Sequence, residues 1–544
     1  MPLTTLCRFA VFALVTTACA LGAAERARIT FLSTTDLHGN IYPIDYFTNQ
    51  PSHLGLAKVA TLIHQVRREE PALILLDSGD TIQGTPLAYY HNRRNNAPPS
   101  PMMLVMNALK YDALAIGNHE YNFGLGVLNK ARREASFPWL SGNTYKAGTE
   151  ETAFPPYVIK EVKGVRVGII GLTTPGVPSW DNPGNYAGLE FRDPVLAARK
   201  WVQVLREREQ VDIVAIAMHM GVELDLASGR PNPGQVPQEN AAVAIAREVP
   251  GIDVIFMGHT HRDVPALLVN GVLLSQANRW GDRVVRADLY VERNASSGRW
   301  EVAAKGAVSL PVTASVPADP AVLALAEPYH REAQAWLDTV IGEAATELTA
   351  TDGYFEDNAL IDLIQRVQLE AGQADVSLAA NFNLRARVAA GPVTVRDIAG
   401  LYIYENTLVV IEATGAIVKA ALEHSARFFR ESDREKTPRE RIDPRVPGYN
   451  FDLAEGVEYE IDLRRPLGDR IRNLRFQGEP LAPDRVLRLA INNYRLNGGG
   501  GYTMYKDAKV LHRSSEEIRD LIITWMERNR QVPVTPNHNW RIVP

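Results

Sequence analysis

Five short polar clusters in this chain combine residue types that bind divalent cations: Thr34-Thr35-Asp36-Leu37-His38-Gly39-Asn40, Asp77-Ser78-Gly79-Asp80, Gly117-Asn118-His119-Glu120, Met218-His219-Met220 and Gly258-His259-Thr260-His261. A carboxylate oxygen and an imidazole nitrogen can share one metal ion, and a carboxylate can bridge two. Asp36 and His38 alternate about Leu37, so an extended backbone puts both on one side; His259 and His261 alternate in the same way. Gly79 permits a tight turn that aims Asp80 back toward the preceding strand. Asn118 offers a neutral amide oxygen, and His119 beside it would point at substrate as a cation or proton donor. Each cluster alone reads as a polar turn. Together they do not, because histidines at several strand ends make poor core filling: buried imidazoles need partners. The ligands divide into two sets sharing Asp80. Asp36, His38, Asp80 and His261 would hold one metal, and Asp80, Asn118, His219 and His259 the other. Such pairs lie about 3.5–4 Å apart and activate water for in-line attack. The mixed donor set suits zinc, manganese, cobalt or iron.

These clusters need a scaffold that brings them to one place. Ile29–Leu32, Leu73–Leu76, Ala113–Ile116, Ile213–Ala217 and Val254–Phe256 are short apolar runs that read as strands, each followed at once by one of the clusters. Val59, Leu62, Ile63 and Val66 recur at helical spacing between the first two, and Val195–Arg208 and Glu239–Glu248 also read as helices. Strands separated by helices imply layered α/β architecture, and ligands in open α/β sheets sit beyond the carboxyl ends of the strands. Prolines at 311, 317 and 320 interrupt this pattern, Val322–Val340 reads as a helix, and an α/β mixture then continues to about residue 530. Arg430–Pro447, densely charged and punctuated by proline, reads as a solvated loop.

The chain has 544 residues, too many for one ordinary core, and its 46% hydrophobic and 22% charged composition is that of a folded protein. A formal charge of −5 offers no general attraction for long nucleic acid. Residues 1–24 read as a secretory leader: Arg8, an apolar Phe9–Ala18 core, then Ala18-Cys19-Ala20 as a cleavage point. Export to the periplasm or the medium is expected, with lipid anchoring through Cys19 the less favoured alternative. No later stretch reaches the roughly 18 apolar residues of a transmembrane helix. Both cysteines, Cys7 and Cys19, fall in the leader, so neither an internal disulfide nor a thiolate metal cage is expected.

The five clusters, in this order, resemble the calcineurin-like metallophosphoesterases, specifically the 5′-nucleotidase family, and the likeness runs through the second half. It implies a four-layer α/β/β/α metallophosphoesterase domain (27–315), a linker helix (316–345) and an α/β nucleotide-binding domain (346–535). It also implies two divalent metals on the seven ligands above, with His119 stabilising the transition state or leaving group. Tyr404, before Glu405-Asn406-Thr407, and Tyr494, before Arg495-Leu496-Asn497-Gly498, match the rings that sandwich the nucleobase. Stacking of this kind is worth about 1–3 kcal/mol per base. Typical 5′-nucleotidases carry an Asp three positions after the catalytic His; here it is Asn122. That asparagine resembles the periplasmic branch acting on 2′,3′-cyclic nucleotides and 3′-nucleotides, as do Glu239-Asn240-Ala241, Tyr449-Asn450-Phe451-Asp452 and Glu405-Asn406-Thr407-Leu408-Val409-Val410. Gly500 replaces the family's ribose-binding Asp, which agrees with an altered sugar position.

The expected activity is therefore hydrolysis of 2′,3′-cyclic nucleotides to 3′-nucleotides, and of these to nucleoside and phosphate. The alternatives are a 5′-nucleotidase or nucleotide-sugar hydrolase with the same metals, a thiohydrolase of sulfur oxidation, and a non-catalytic nucleotide-binding surface protein. Tyr404 and Tyr494 argue against the thiohydrolase, since a sulfur substrate needs no base clamp.

Overall fold

The computed structural model describes residues 25–225, 228–230, 238–404, 406–431 and 436–544. The expected leader, with Cys7 and Cys19, lies outside them. All five runs form strands: β1 (Arg26–Thr34), β2 (Ile74–Asp77), β3 (Ala113–Ala115), β4 (Ile213–His219) and β5 (Val254–Met257). β1, β2 and β3 are parallel neighbours, with Phe31 opposite Ile74 and Leu76 opposite Ala113. β4 and β5 are parallel in a second sheet, Ala215 opposite Val254. Parallel neighbours require crossovers. Leu56–Glu69 and Pro101–Ala108 supply them in the first sheet, and Ala242–Glu248 in the second. This last helix starts at Ala242, not at the expected Glu239. The Asn240 side chain instead accepts from the Gly221 amide (2.6 Å), and Glu239 turns toward His259.

Each sheet has six strands. Their inner faces meet in a core of Ile29, Phe31, Ile74 and Leu76 against Ile169, Ile213 and Phe256. Phe31 and Phe256 touch across it, ring centroids 5.4 Å apart. Helices cover both outer faces, Val59 and Ile63 on one side and Ala198, Ile245 and Ala246 on the other. The result is four layers, α/β/β/α. Strands buried on both faces explain the continuous apolar runs, and each fully buried Ile, Leu or Phe contributes about 1.5–3 kcal/mol.

The helix Pro320–Leu337 starts on Asp319, whose carboxylate accepts from the amides of Ala321 and Val322, with Pro320 pre-set in the first turn. It stops short of the expected Val340, because Val340–Ala344 is a strand paired with Gly391–Thr394. Beyond it, a five-stranded sheet runs in the order Asp452–Glu455, Val376–Ala380, Val486–Asn492, Thr407–Thr414, Val510–Glu517. A four-stranded sheet that ends on Trp540–Val543 lies alongside. The segment expected as a solvated loop is partly core. Arg441 is 1% exposed and donates to the Leu463 carbonyl at 2.8 Å, which satisfies a charge that the sequence pattern placed in water.

Candidate metal centre

Because β1 to β5 are parallel within their sheets, their carboxyl ends gather at one edge. The Asp36 amide donates to the Gly79 carbonyl and the His38 amide to the Asp80 carbonyl, both at 2.8 Å. Gly79 has φ +92°, and a Cβ there would lie 2.6 Å from the Gly117 nitrogen. At Gly258 a Cβ would lie 2.4 Å from Thr35 Oγ1, so only glycine lets the loop of the second sheet close on the first. The ligand pairs do not sit on extended backbone, as the alternation implied. Asp36, His38, Asp80, His259 and His261 all have positive φ, between +47° and +71°. Left-handed turns curl each loop back over its strand end and still bring side chains two apart together. Such conformations cost of order 1–3 kcal/mol each and concentrate at functional sites.

The structure brings together Asp36, His38 and His261 in one group and Asp80, His219 and His259 in another, each with candidate donor atoms within 4.8 Å of one another. His38 Nε2 is 3.1 Å from His261 Nε2, and Asp36 Oδ1 is 3.2 Å from His261 Nε2. Asp80 Oδ2 lies 2.9 Å from His219 Nε2 and 4.0 Å from His38 Nε2, between the two groups. Asn118 is buried on the adjoining loop, and the His119 amide beside it donates to Asp80 Oδ1 at 2.8 Å.

The donor chemistry fits divalent cations. Asn118 Oδ1 is buried without a hydrogen-bond partner. His219 Nδ1 donates to the Ser78 carbonyl at 2.7 Å, so its Nε2 faces Asp80 as a bare lone pair unless a cation or proton lies between. Burial opposes charge on His219, yet Asp80 and Asp36 push its pKa up to about 10. Burial alone would raise the Asp80 and Asp36 carboxyls. Facing histidines, His219 and His119 for Asp80 and His261 and His219 for Asp36, hold both below their ordinary range. Burial pulls His38 down to about 4, which keeps it neutral as a ligand must be.

Several residues beyond the expected ligands complete the site. Gln83 fixes the His38 ring, its carbonyl and Oε1 lying 3.2 and 3.0 Å from Nδ1. Glu239 Oε1 lies 3.0 Å from His259 Nε2. Arg279 donates to His261 Nδ1 at 3.0 Å; a cation at Nε2 would put the ring hydrogen on Nδ1, and Arg279 must then turn away. Fully buried Glu120 accepts from the amides of Asp80 (2.9 Å), Gly117 (2.8 Å), Thr81 (2.5 Å) and Ile82 (3.3 Å), tying two ligand loops to one carboxylate. Asp181 accepts from Asn122, whose amide oxygen is 2.5 Å from His119 Nδ1. His119 Nε2 stands 3.9 Å from Asp80 Oδ2. Glu120, Asn122 and Glu239 were visible within their motifs; Gln83, Arg279 and Asp181 had no signal of their own.

In the second half, the Tyr404 ring is exposed and meets Phe382 and Tyr449 edge-on, at 5.2 and 6.2 Å. Tyr494 is half-buried with one ring face on Gly499, where a Cβ would lie 2.6 Å from ring carbons. Arg495 grips Asp452 with two bonds (2.7 and 2.8 Å), both groups about 1% exposed, and also donates to the Tyr449 carbonyl. The tyrosines border the metal edge. The positive charge of Arg279 acts on Tyr404 and Tyr449, and Asn493 donates to the Trp180 carbonyl at 2.7 Å.

Residues 29–263 match the calcineurin-like phosphoesterase family, and residues 340–507 match the 5′-nucleotidase C-terminal domain. The 2′,3′-cyclic-nucleotide 2′-phosphodiesterase/3′-nucleotidase of Haemophilus influenzae is 31% identical, over 95% of this chain and 87% of that protein. The protein of the same description from Salmonella typhimurium is 29% identical, over 99% and 92%. The crystal structure of a putative 5′-nucleotidase from Staphylococcus aureus superposes with a TM-score of 0.82 at 27% identity, covering 95% of this chain and all of that one. No helix among the described residues is long and apolar enough to cross a membrane. With two such donor groups at one sheet edge and relatives spanning both halves, the chain belongs to the 5′-nucleotidase family of calcineurin-like metallophosphoesterases, metal-dependent hydrolases of phosphoric esters.

Proposed function

We propose that the protein hydrolyses 2′,3′-cyclic nucleotides to 3′-nucleotides, and these to nucleoside and phosphate, outside the cytoplasm. Asp36, His38 and His261 would hold one divalent ion and Asn118, His219 and His259 a second, with Asp80 serving both. When bound, such ions neutralise phosphoryl oxygens and lower the pKa of water for in-line attack. The chain's own residues do the rest. Glu120 fixes the loops, His119 presents Nε2 beside Asp80 to hydrogen-bond the phosphoryl or leaving oxygen, and Asn122 sets the ring. Tyr404 and Tyr494 take the base, and Gly500 stands where the family's 5′ enzymes carry a ribose-binding Asp; a Cβ there would lie 2.3 Å from Asn450 Oδ1, so Asn450 fills that place instead.

The observation that carries this reading is likeness to the two cyclic phosphodiesterase/3′-nucleotidases across almost the whole chain, both domains included. Asn122 on His119 supports it. Turnover of 2′,3′-cyclic AMP, 3′-AMP and 5′-AMP by the metal-loaded protein tests it. The first two should be the good substrates, and a strong preference for 5′-AMP overturns it in favour of a 5′-nucleotidase. The first residue of the exported protein tests the leader: it should lie near Ala20, and a chain that stays in the cytoplasm defeats the export reading.

A further inference from the structure

We propose that Asp181 is a positioning residue that locks the Asn122 amide, so that its oxygen and not its nitrogen faces His119. Asparagine is an ambiguous partner for a histidine, because half a turn of the amide exchanges an acceptor for a donor. Here Asn122 Oδ1 lies 2.5 Å from His119 Nδ1, and Asn122 Nδ2 donates to Asp181 Oδ2 at 3.2 Å. The other Asp181 oxygen accepts from the Asn182 amide (2.6 Å) and from Asn185 Nδ2 (2.8 Å). Three N–H groups thus converge on one buried carboxylate, which can only accept. Turning Asn122 over would set its oxygen against that carboxylate, acceptor against acceptor. The turn is therefore blocked. His119 keeps a hydrogen on Nδ1, and Nε2, which stands 3.9 Å from Asp80 Oδ2, donates to the reacting ester when the ring is cationic.

The segment bearing Asp181 is itself well anchored. The Trp180 ring lies 5.2 Å from the His259 ring, and the Trp180 carbonyl accepts from Asn493, next to Tyr494. The pairing also explains why asparagine suits position 122. An Asp there would put a second carboxylate within hydrogen-bond distance of the first, in a buried place where like charges are costly. The carboxylate that orients histidine in typical members of the family has moved one link outward, with the amide passing its preference along.

A reciprocal exchange tests this. Asp181→Asn keeps the shape but sets an N–H₂ against the Asn122 N–H₂, so Asn122 must turn over. Asn122→Asp creates the carboxylate pair. Each single change should lower kcat on the order of 10–100-fold, the usual cost of losing an orienting partner, with KM and metal content unchanged. The double variant Asn122→Asp/Asp181→Asn restores every donor to an acceptor and should recover most of the loss. A merely structural role predicts no such rescue. Wild-type kcat in Asp181→Asn, or a double variant no better than the worse single, overturns the assignment. The proposal rests on the hydrolase reading, and imidazole ¹⁵N shifts of His119 separate the two. A hydrogen on Nδ1 should be present in the unaltered protein, in neutral ring and imidazolium alike, and lost in Asp181→Asn whatever the substrate; Nδ1 protonated alike in both defeats the role of Asp181 alone. Failure of the unaltered protein to hydrolyse bis(p-nitrophenyl) phosphate or any of the nucleotides defeats the hydrolase reading instead.

Discussion

Glu120→Gln is the most informative single change at the loops. The wild-type carboxylate takes Asp80 and Gly117 amides on Oε2 and Thr81 and Ile82 amides on Oε1. A glutamine of the same shape must present its N–H₂ to one of these pairs, leaving two buried amide donors facing a donor. Each orphaned group costs about 1–3 kcal/mol, so the gross loss is about 2–6 kcal/mol. Burial, reinforced by the Asp80 charge, already holds the Glu120 carboxyl above its ordinary pKa, so removing the charge returns part of this. The net loss should sit at the low end, about 2 kcal/mol, or about 30-fold in any equilibrium that needs both loops in place. Retention of divalent ions is such an equilibrium. Chelator competition with zinc or manganese should show binding weakened by about that factor, while far-UV circular dichroism stays unchanged. Wild-type metal affinity in a folded Glu120→Gln protein would mean the loops hold their shape without this carboxylate, and the account given for it would be wrong.

Removal of divalent ions with a chelator should abolish hydrolysis reversibly and lower the unfolding temperature, since an ion present at 100 times its Kd stabilises by about 2.7 kcal/mol. Full turnover by protein shown metal-free would refute this. Arg495→Met strands the Asp452 carboxylate in the interior and should cost about 3–5 kcal/mol in urea unfolding. Because Arg495 also holds the Tyr449 backbone, KM should rise as well, and an unchanged KM would separate this arginine from the base site. Asp362, pushed up to about 7 by burial and then by Asp357, binds its proton more tightly folded than unfolded. Its contribution is fully present below the ordinary carboxyl pKa of about 4 and is lost as pH rises from there through about 7. Asp362→Asn keeps an acceptor for the Asn537 amide and should raise the melting temperature relative to wild type by clearly more at pH 8 than at pH 5. An equal shift at both values would point to packing instead.

The strands were legible because burial on both faces makes them uniformly apolar, and the clusters were legible because polar metal-binding types follow at once. Asp36, His38, His261, Asp80, His219 and His259 could therefore be grouped before any coordinates. The partners that orient them could not. Asp181 is 59 positions from Asn122, and nothing in Trp180-Asp181-Asn182 departs from an ordinary turn. Gln83 and Arg279 likewise gain meaning only from the loops they meet. The left-handed backbone was missed for a related reason: alternation along a sequence is equally compatible with extended chain and with curled turns, and only the bonds from β1 to β2 decide. Helix ends erred where a side chain had other business, as at Glu239, or where a strand was needed, as at Val340.

The positive φ angles at the ligand positions also change how substitutions there should be read. Alanine would remove a donor and force a methyl-bearing residue into a conformation it avoids, so its effect mixes lost chemistry with backbone discomfort. Asparagine enters that region readily. Variants such as Asp36→Asn or His261→Asn, compared with their alanine counterparts, would resolve how much of each loop's shape belongs to the chain and how much to the ion.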